Sequence, residues 1–78
     1  MYKITRINDG KTFETEHYKF VVFENGRGKE LIDNPEIETA LILPPYNSMF
    51  RWMTTEIIEI INDRHFKTKN SEYEIKEI

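Results

Sequence analysis

The chain has 78 residues, a net charge of −3 and no cysteine; 38% of its residues are hydrophobic and 32% are charged. So short a chain is expected to form one small domain over residues 1–78. Without cysteine it holds neither a disulfide framework nor a zinc finger, and no run of about 18 apolar residues is present to span a membrane. The net acidity argues against binding to duplex nucleic acid, because phosphate contacts need a basic surface. The start of the chain lacks the apolar stretch of a signal peptide, so we expect a cytoplasmic protein with no membrane partner.

β-branched and aromatic residues favour strands throughout the first half of the chain. Asp9-Gly10 and Asn25-Gly26 predict two hairpin turns, because a type I′ turn needs positive φ at both central residues. Asn34-Pro35 and Pro44-Pro45 are expected to interrupt pairing, since proline lacks a backbone donor and restricts the residue before it. The predicted strands in this half are residues 2–7, 12–15, 17–24, 29–33 and 37–43.

Residues 50–61 fit either a helix or a strand. A helix would gather an apolar stripe that includes Met53, Ile57 and Ile61. The same segment is dominated by β-branched residues and has no capping box at its start, so strand is favoured and helix stays open. A turn at 62–64 then leads to two predicted strands, residues 65–68 and 72–78.

These strands and turns predict a mostly β fold, with α+β as the alternative. We expect a small twisted antiparallel sheet or a partly closed barrel of about six short strands. A domain of this size buries only roughly 60% of its unfolded surface. A second subunit would enlarge the core, so a homo-oligomer is a further expectation.

No constellation typical of an enzyme is found. His17 and His65 have no nucleophile at a recognisable spacing, and neither serine, Ser48 or Ser71, lies in a Gly-x-Ser-x-Gly elbow. The acidic residues lack the spacing of a calcium loop, and no dinucleotide or Walker motif occurs. We therefore expect a protein without catalytic residues, metal site or cofactor.

The segment from Pro44 to Thr55 concentrates aromatic residues, methionines and an arginine after a double proline. Aromatic rings and arginine are typical binding anchors, because they bury area at low entropic cost and stack on flat groups. The alternative is that these side chains plug one end of a small core. The candidate ligand-binding residues here are Ser48, Met49, Phe50, Arg51, Trp52, Thr54 and Thr55.

The last third resembles small, mostly uncharacterised phage-encoded proteins. The resemblance is carried by Ser48-Met49, by Trp52-Met53-Thr54-Thr55-Glu56-Ile57-Ile58-Glu59-Ile60, and by Phe66-Lys67-Thr68-Lys69-Asn70-Ser71-Glu72-Tyr73. In such proteins a Thr-Thr-x-(Val/Ile)-x-Glu-Ile strand is followed, after a turn, by a Phe-x-Thr-x-Asn-Ser-x-Tyr strand. The resemblance covers residues 48–78 and implies a strand–turn–strand ending and a phage setting.

The motif adds Asn70, Ser71 and Tyr73 to the candidate ligand-binding residues. Asn70 and Ser71 can instead form a local turn through side-chain-to-backbone hydrogen bonds. Donors and acceptors beside Trp52 and Tyr73 would suit a flat polar ligand, such as a nucleotide base with its ribose.

The leading hypothesis is a non-enzymatic, phage-type binding protein with an anti-defence role, which sequesters a nucleotide-like small signal. One alternative is a stoichiometric inhibitor that binds a host protein. The other is a structural or assembly protein of the virion.

Overall fold

The computed structural model describes residues 1–46 and 52–78, and all regular structure in these residues is β-strand. This confirms the mostly β prediction. No helix of the described residues is long and apolar enough to cross a membrane. The strands are β1 (Tyr2–Arg6), β2 (Lys11–Thr15), β3 (Lys19–Glu24), β4 (Arg27–Ile32), β5 (Ala40–Ile42), β6 (Ile57–Asn62), β7 (His65–Thr68) and β8 (Glu72–Glu77).

The larger sheet has five antiparallel strands in the order β2-β1-β8-β7-β6. Strands β1 and β8, from opposite ends of the sequence, lie side by side, with Ile4 opposite Ile75. Side chains alternate between the two faces of a strand, so Tyr73 shares the buried face with Ile75 while Glu74 points the other way. This alternation gives the sheet one apolar and one charged face.

The smaller sheet has three antiparallel strands in the order β4-β3-β5. Its Phe20 packs against Phe66 of the larger sheet with ring centroids 5.6 Å apart. Both rings are fully buried, and burial of such side chains is the main favourable term in folding. The buried cluster between the sheets consists of Ile4, Phe20, Leu41, Leu43, Ile57, Phe66, Tyr73 and Ile75.

A short connecting segment, residues 52–57, joins the two sheets; we call it the seam segment. It runs beside β5 and its flanks, with Thr54 N–H donating to Leu41 O at 2.9 Å and Ile57 N–H donating to Thr39 O at 2.7 Å. The segment then continues directly into β6 of the larger sheet. The sheets are thus linked along one side, and the described strands do not close into a barrel.

The structure refines several predictions from the sequence. It has eight described strands rather than about six, because every predicted strand segment contributes one. Of the ambiguous segment 50–61, residues 57–61 belong to β6, which confirms the preference for strand over helix there; residues 50 and 51 lie outside the described residues.

Two local predictions are only partly correct. The hairpin turn at Asp9-Gly10 forms between β1 and β2, but only Gly10 of the pair has positive φ (73°), and the turn spans residues 7–10 with the Gly10 N–H donating to Arg6 O, so it is not type I′. Of the predicted strand 37–43, only Ala40–Ile42 forms; Glu38 adopts positive φ (71°) in a turn, so the extended run begins only after it.

Two other local predictions agree with the structure. Asn25 and Gly26 both have positive φ, 53° and 77°, as a type I′ hairpin turn requires. Residues 44–46 form no strand after the double proline, whose peptide bond is cis. The rest of that predicted loop, 47–49, lies outside the described residues.

Candidate functional site

Six of the ten candidate ligand-binding residues can be placed in the structure. Ser48, Met49, Phe50 and Arg51 lie outside the described residues. The other six are Trp52, Thr54, Thr55, Asn70, Ser71 and Tyr73.

Trp52 is half-buried and begins the seam segment, where its carbonyl accepts the Leu43 N–H at 3.1 Å. Its ring lies 4.6 Å from the ring of Phe13 on β2, tilted by 46°. It also meets the buried ring of Tyr73 on β8 edge to face, at 5.9 Å and 84°. The structure therefore brings Trp52 and Tyr73 together, as expected from the sequence, and adds Phe13 to them.

Two cationic side chains lie over the same Phe13 ring. The Arg6 Cζ is 6.0 Å and the Lys11 Nζ is 5.5 Å from the ring centroid, within the range of cation–π attraction. Arg6 comes from β1 directly opposite Lys11 and Tyr73, so strand pairing alone gathers these groups. We call Arg6, Lys11, Phe13, Trp52 and Tyr73 the Trp52 cluster.

The charges of the Trp52 cluster are unequally paired. Asp9 accepts hydrogen bonds from the Arg6 guanidinium at 2.9–3.2 Å, and these bonds raise the pKa of Arg6, with a smaller contribution from Tyr73. The same contacts, with a bond from the Lys11 N–H, lower the pKa of Asp9. The Lys11 ammonium forms no ion pair with the described residues. Lys11 is thus the cation of the cluster that is available to an anionic group.

The two threonines of the seam segment differ in their hydrogen bonding. The buried Thr54 Oγ1 accepts the Leu41 N–H at 3.0 Å and donates to the Thr55 carbonyl at 2.8 Å. The Thr55 Oγ1 is buried and has no hydrogen-bond partner among the described residues. The Thr54 hydroxyl is therefore used by backbone groups, whereas the Thr55 hydroxyl can still bond to a ligand.

Asn70 and Ser71 lie in the turn between β7 and β8. Three hydrogen bonds join Ser71 to Thr68. The Ser71 carbonyl accepts from the Thr68 N–H at 2.7 Å and from the Thr68 hydroxyl at 3.1 Å, and the Ser71 N–H donates to the Thr68 Oγ1 at 3.2 Å. The side chain that holds this turn is thus Thr68 rather than Asn70 or Ser71. Asn70 is exposed and Ser71 half-buried.

The sequence alone did not identify Arg6, Lys11 and Phe13 as parts of this site. Alternation in β1 did place Arg6 on the face of Ile4. Finding these residues requires the register of β2 and of β8 against β1, which the sequence does not show. That register places Lys11 on one side of Arg6 and Tyr73 on the other. The Asp9-Gly10 turn was the available signal, but a loop of different length changes that register.

Across the described residues, no group of three histidine or acidic side chains is placed to hold a metal ion. No protein-family model, curated protein or solved structure matches the chain. The site is therefore interpreted from its own geometry.

Proposed function

We propose that the protein is a non-enzymatic binding protein whose Trp52 cluster holds a flat, anionic, nucleotide-like small molecule. The observation that carries the proposal is the tilted contact of the Trp52 and Phe13 rings, with Arg6 and Lys11 over the same Phe13 ring. A nucleobase gains stacking energy on exposed aromatic surface, and phosphate pairs with cationic side chains. The Lys11 ammonium, which forms no ion pair within residues 1–46 and 52–78, supplies such a cation.

The resemblance of residues 48–78 to small phage-encoded proteins supports a phage setting for this activity. In that setting, a protein that binds a nucleotide-like signal without converting it would lower the free signal in the host cytoplasm. We therefore propose an anti-defence role by sequestration. Stoichiometric action of this kind needs a binding surface but no catalytic groups.

The test uses the intrinsic fluorescence of Trp52, which is the only tryptophan in the chain. We expect AMP to change its emission saturably, adenosine to bind more weakly, and inorganic phosphate alone to have little effect. Rising salt concentration should weaken the binding of AMP more than that of adenosine, because only AMP carries a phosphate that pairs with the Lys11 ammonium. Equal responses to AMP and adenosine, or none up to millimolar concentrations, would contradict the proposal.

Lys11→Met gives the sharper version of this test. The long apolar side chain preserves the packing over Phe13, and we expect AMP affinity to fall about threefold to tenfold while adenosine affinity stays constant. Lys3→Met is the matched control, since Lys3 lies on the face of β1 opposite Arg6 and, like Lys11, forms no ion pair with the described residues. If both variants behave alike, the charge does not act at the Trp52 cluster.

A second candidate function is stoichiometric inhibition of a host protein. It is favoured by a cavity on the outer face of the smaller sheet. This cavity has a volume of about 380 Å³, and its lining includes Val21, Leu31 and Met53. Leu31 is 42% and Met53 37% exposed, and large exposed apolar side chains grouped together are typical of protein interfaces. Affinity capture from infected cells, followed by mass spectrometry after denaturation, separates the two functions: a released nucleotide supports the first, and a stoichiometric protein partner without one supports the second.

A further inference from the structure

A second concave surface lies at the other end of β1. Tyr2 and Arg6 stand at opposite ends of that strand, so the region around Tyr2 is separate from the Trp52 cluster. Its volume of about 410 Å³ falls in the range of small-molecule sites. We call it the Tyr46 pocket; it is lined by Tyr2, His17, Tyr18, Lys19, Asp33 and Tyr46.

The Tyr46 hydroxyl is the first feature that points to a ligand. Its oxygen is buried and has no hydrogen-bond partner among the described residues. Burial also raises the pKa of Tyr46, so the phenol stays neutral and offers both a donor and an acceptor. Buried polar groups in proteins are nearly always paired, so a ligand that bonds to this oxygen gains more than it would at the surface.

The ion pair of Lys19 and Asp33 is the second feature. The Lys19 ammonium donates to the Asp33 carboxylate, and this bond raises the pKa of Lys19. The two side chains remain 38% and 78% exposed, so a ligand can reach both. They present a strong donor beside a strong acceptor at the rim of the pocket, near the Tyr46 phenol.

Two perpendicular tyrosine rings form the third feature. Tyr2 and Tyr18 meet edge to face with centroids 5.0 Å apart, and Tyr18 meets the buried Phe20 in the same way at 5.8 Å. The Arg64 guanidinium lies 5.6 Å from the centroid of the Tyr2 ring. These contacts hold the aromatic wall in place, so a flat ligand would meet a preformed surface.

We propose that the Tyr46 pocket is a second binding site, which takes a nucleobase with a lactam edge, as in uracil or guanine. Such an edge carries an N–H beside a C=O. The N–H would donate to the Asp33 carboxylate, and the carbonyl would accept from the Lys19 ammonium or the Tyr46 hydroxyl. The ring would lie against the tyrosine wall. The Tyr46 pocket shares no residue with the Trp52 cluster, so this proposal does not depend on whether AMP binds at the Trp52 cluster.

Uridine and cytidine provide the discriminating probes, because they differ at this edge: cytidine has no N–H at ring position 3. The experiment is a nuclear magnetic resonance titration of the full chain that follows the aromatic resonances of Tyr2, Tyr18 and Tyr46. We expect uridine to shift them saturably and cytidine to bind at least tenfold more weakly. The indole resonance of Trp52 should stay in place in both titrations. Equal binding of the two nucleosides, or no shift with either at millimolar concentration, would overturn the proposal.

Tyr46→Phe removes only the hydroxyl oxygen. We expect about a fivefold loss of uridine affinity, which is the effect of one neutral hydrogen bond, with cytidine unaffected. The melting temperature of the free variant should equal or exceed that of the parent, because in the described part of the chain the hydroxyl has no partner to lose. A lower melting temperature would show that the hydroxyl bonds within the fold, and unchanged uridine affinity would show that it faces no ligand; either result overturns its assignment.

Asp33→Ala tests the acceptor of the lactam edge. The carboxylate is well exposed, so the variant is expected to fold and to lose uridine affinity by tenfold or more. Glu59→Ala is the control, since it removes another exposed carboxylate, on β6 of the other sheet. Equal uridine affinity in the two variants would overturn the role of Asp33.

Discussion

The seam segment and the β7–β8 turn come from the same stretch of sequence resemblance, yet their hydroxyl groups serve different purposes. In the turn, the Thr68 hydroxyl and the Ser71 backbone satisfy each other in both directions. In the seam segment, Thr54 is satisfied by backbone groups, whereas the adjacent Thr55 hydroxyl is buried without a described partner. A single set of polar motif residues therefore contains structural members and one buried hydroxyl, that of Thr55, without a partner among the described residues.

This difference matters for assigning a binding site. A polar residue whose groups are all paired inside the fold cannot bind a ligand without breaking those bonds, and each broken bond lowers the net affinity. Among the described candidates, Thr54 has this internal role and Tyr73 is a core residue. Trp52 and Thr55 keep surface or hydrogen-bonding capacity for a ligand. Isosteric threonine-to-valine substitutions test this division directly.

Thr54→Val is expected to have the largest effect of these substitutions. Valine preserves the shape but leaves the buried Leu41 N–H without its acceptor, so the free energy of unfolding should fall by about 1–3 kcal/mol. Urea unfolding followed by circular dichroism measures it, and an unchanged slope would confirm that only stability has altered.

The control for this measurement is Thr12→Val, an exposed threonine on β2, whose effect should stay within about 0.5 kcal/mol. A loss no larger than the control value in Thr54→Val would contradict the structural role of Thr54 in joining the two sheets.

Thr68→Val should have an intermediate effect. The variant loses both hydroxyl bonds to Ser71, but the Thr68 N–H still donates to the Ser71 carbonyl at 2.7 Å, so the turn keeps one of its closing bonds. We expect a loss of about 0.5–1.5 kcal/mol in the free energy of unfolding. Hydrogen exchange at the Ser71 amide provides a local measurement, because this N–H loses its acceptor. Unaltered exchange there would show that the hydroxyl does not hold the turn.

The strands were predictable from the sequence because their signals are local. Alternation divides the side chains of β1 and β8 between two faces, of which the structure buries those of Ile4 and Tyr73, and Asn25-Gly26 has the positive φ values that its residue types favour. The contact between Trp52 and Tyr73 was also anticipated, since the motif placed both in one candidate site.

The groups around these elements were not predictable, because they depend on register and on packing between distant segments. Arg6 reaches Lys11 and Phe13 only through the pairing of β1 with β2. The Tyr46 pocket needs Tyr2, Asp33 and Tyr46 to meet across three separate parts of the chain. No local pattern encodes such a meeting, and a shift of one residue in register would turn every side chain of a strand to the other face.

Thr55→Val is expected to have the smallest effect on stability, and the opposite sign to Thr54→Val. Burying a hydroxyl without a partner is unfavourable, so replacing it by a methyl group should raise the free energy of unfolding by up to about 1 kcal/mol. If the hydroxyl serves a ligand that also contacts Trp52, three residues earlier in the seam segment, the same variant should bind AMP more weakly while it unfolds at higher urea concentration. Opposite changes in stability and affinity are what a residue kept for binding predicts, since removing an unpaired buried hydroxyl raises stability by itself but lowers affinity only if a ligand uses that hydroxyl. A loss of stability as large as that of Thr54→Val would mean that Thr55 is bonded within the fold, and the two neighbouring threonines would then share one structural role.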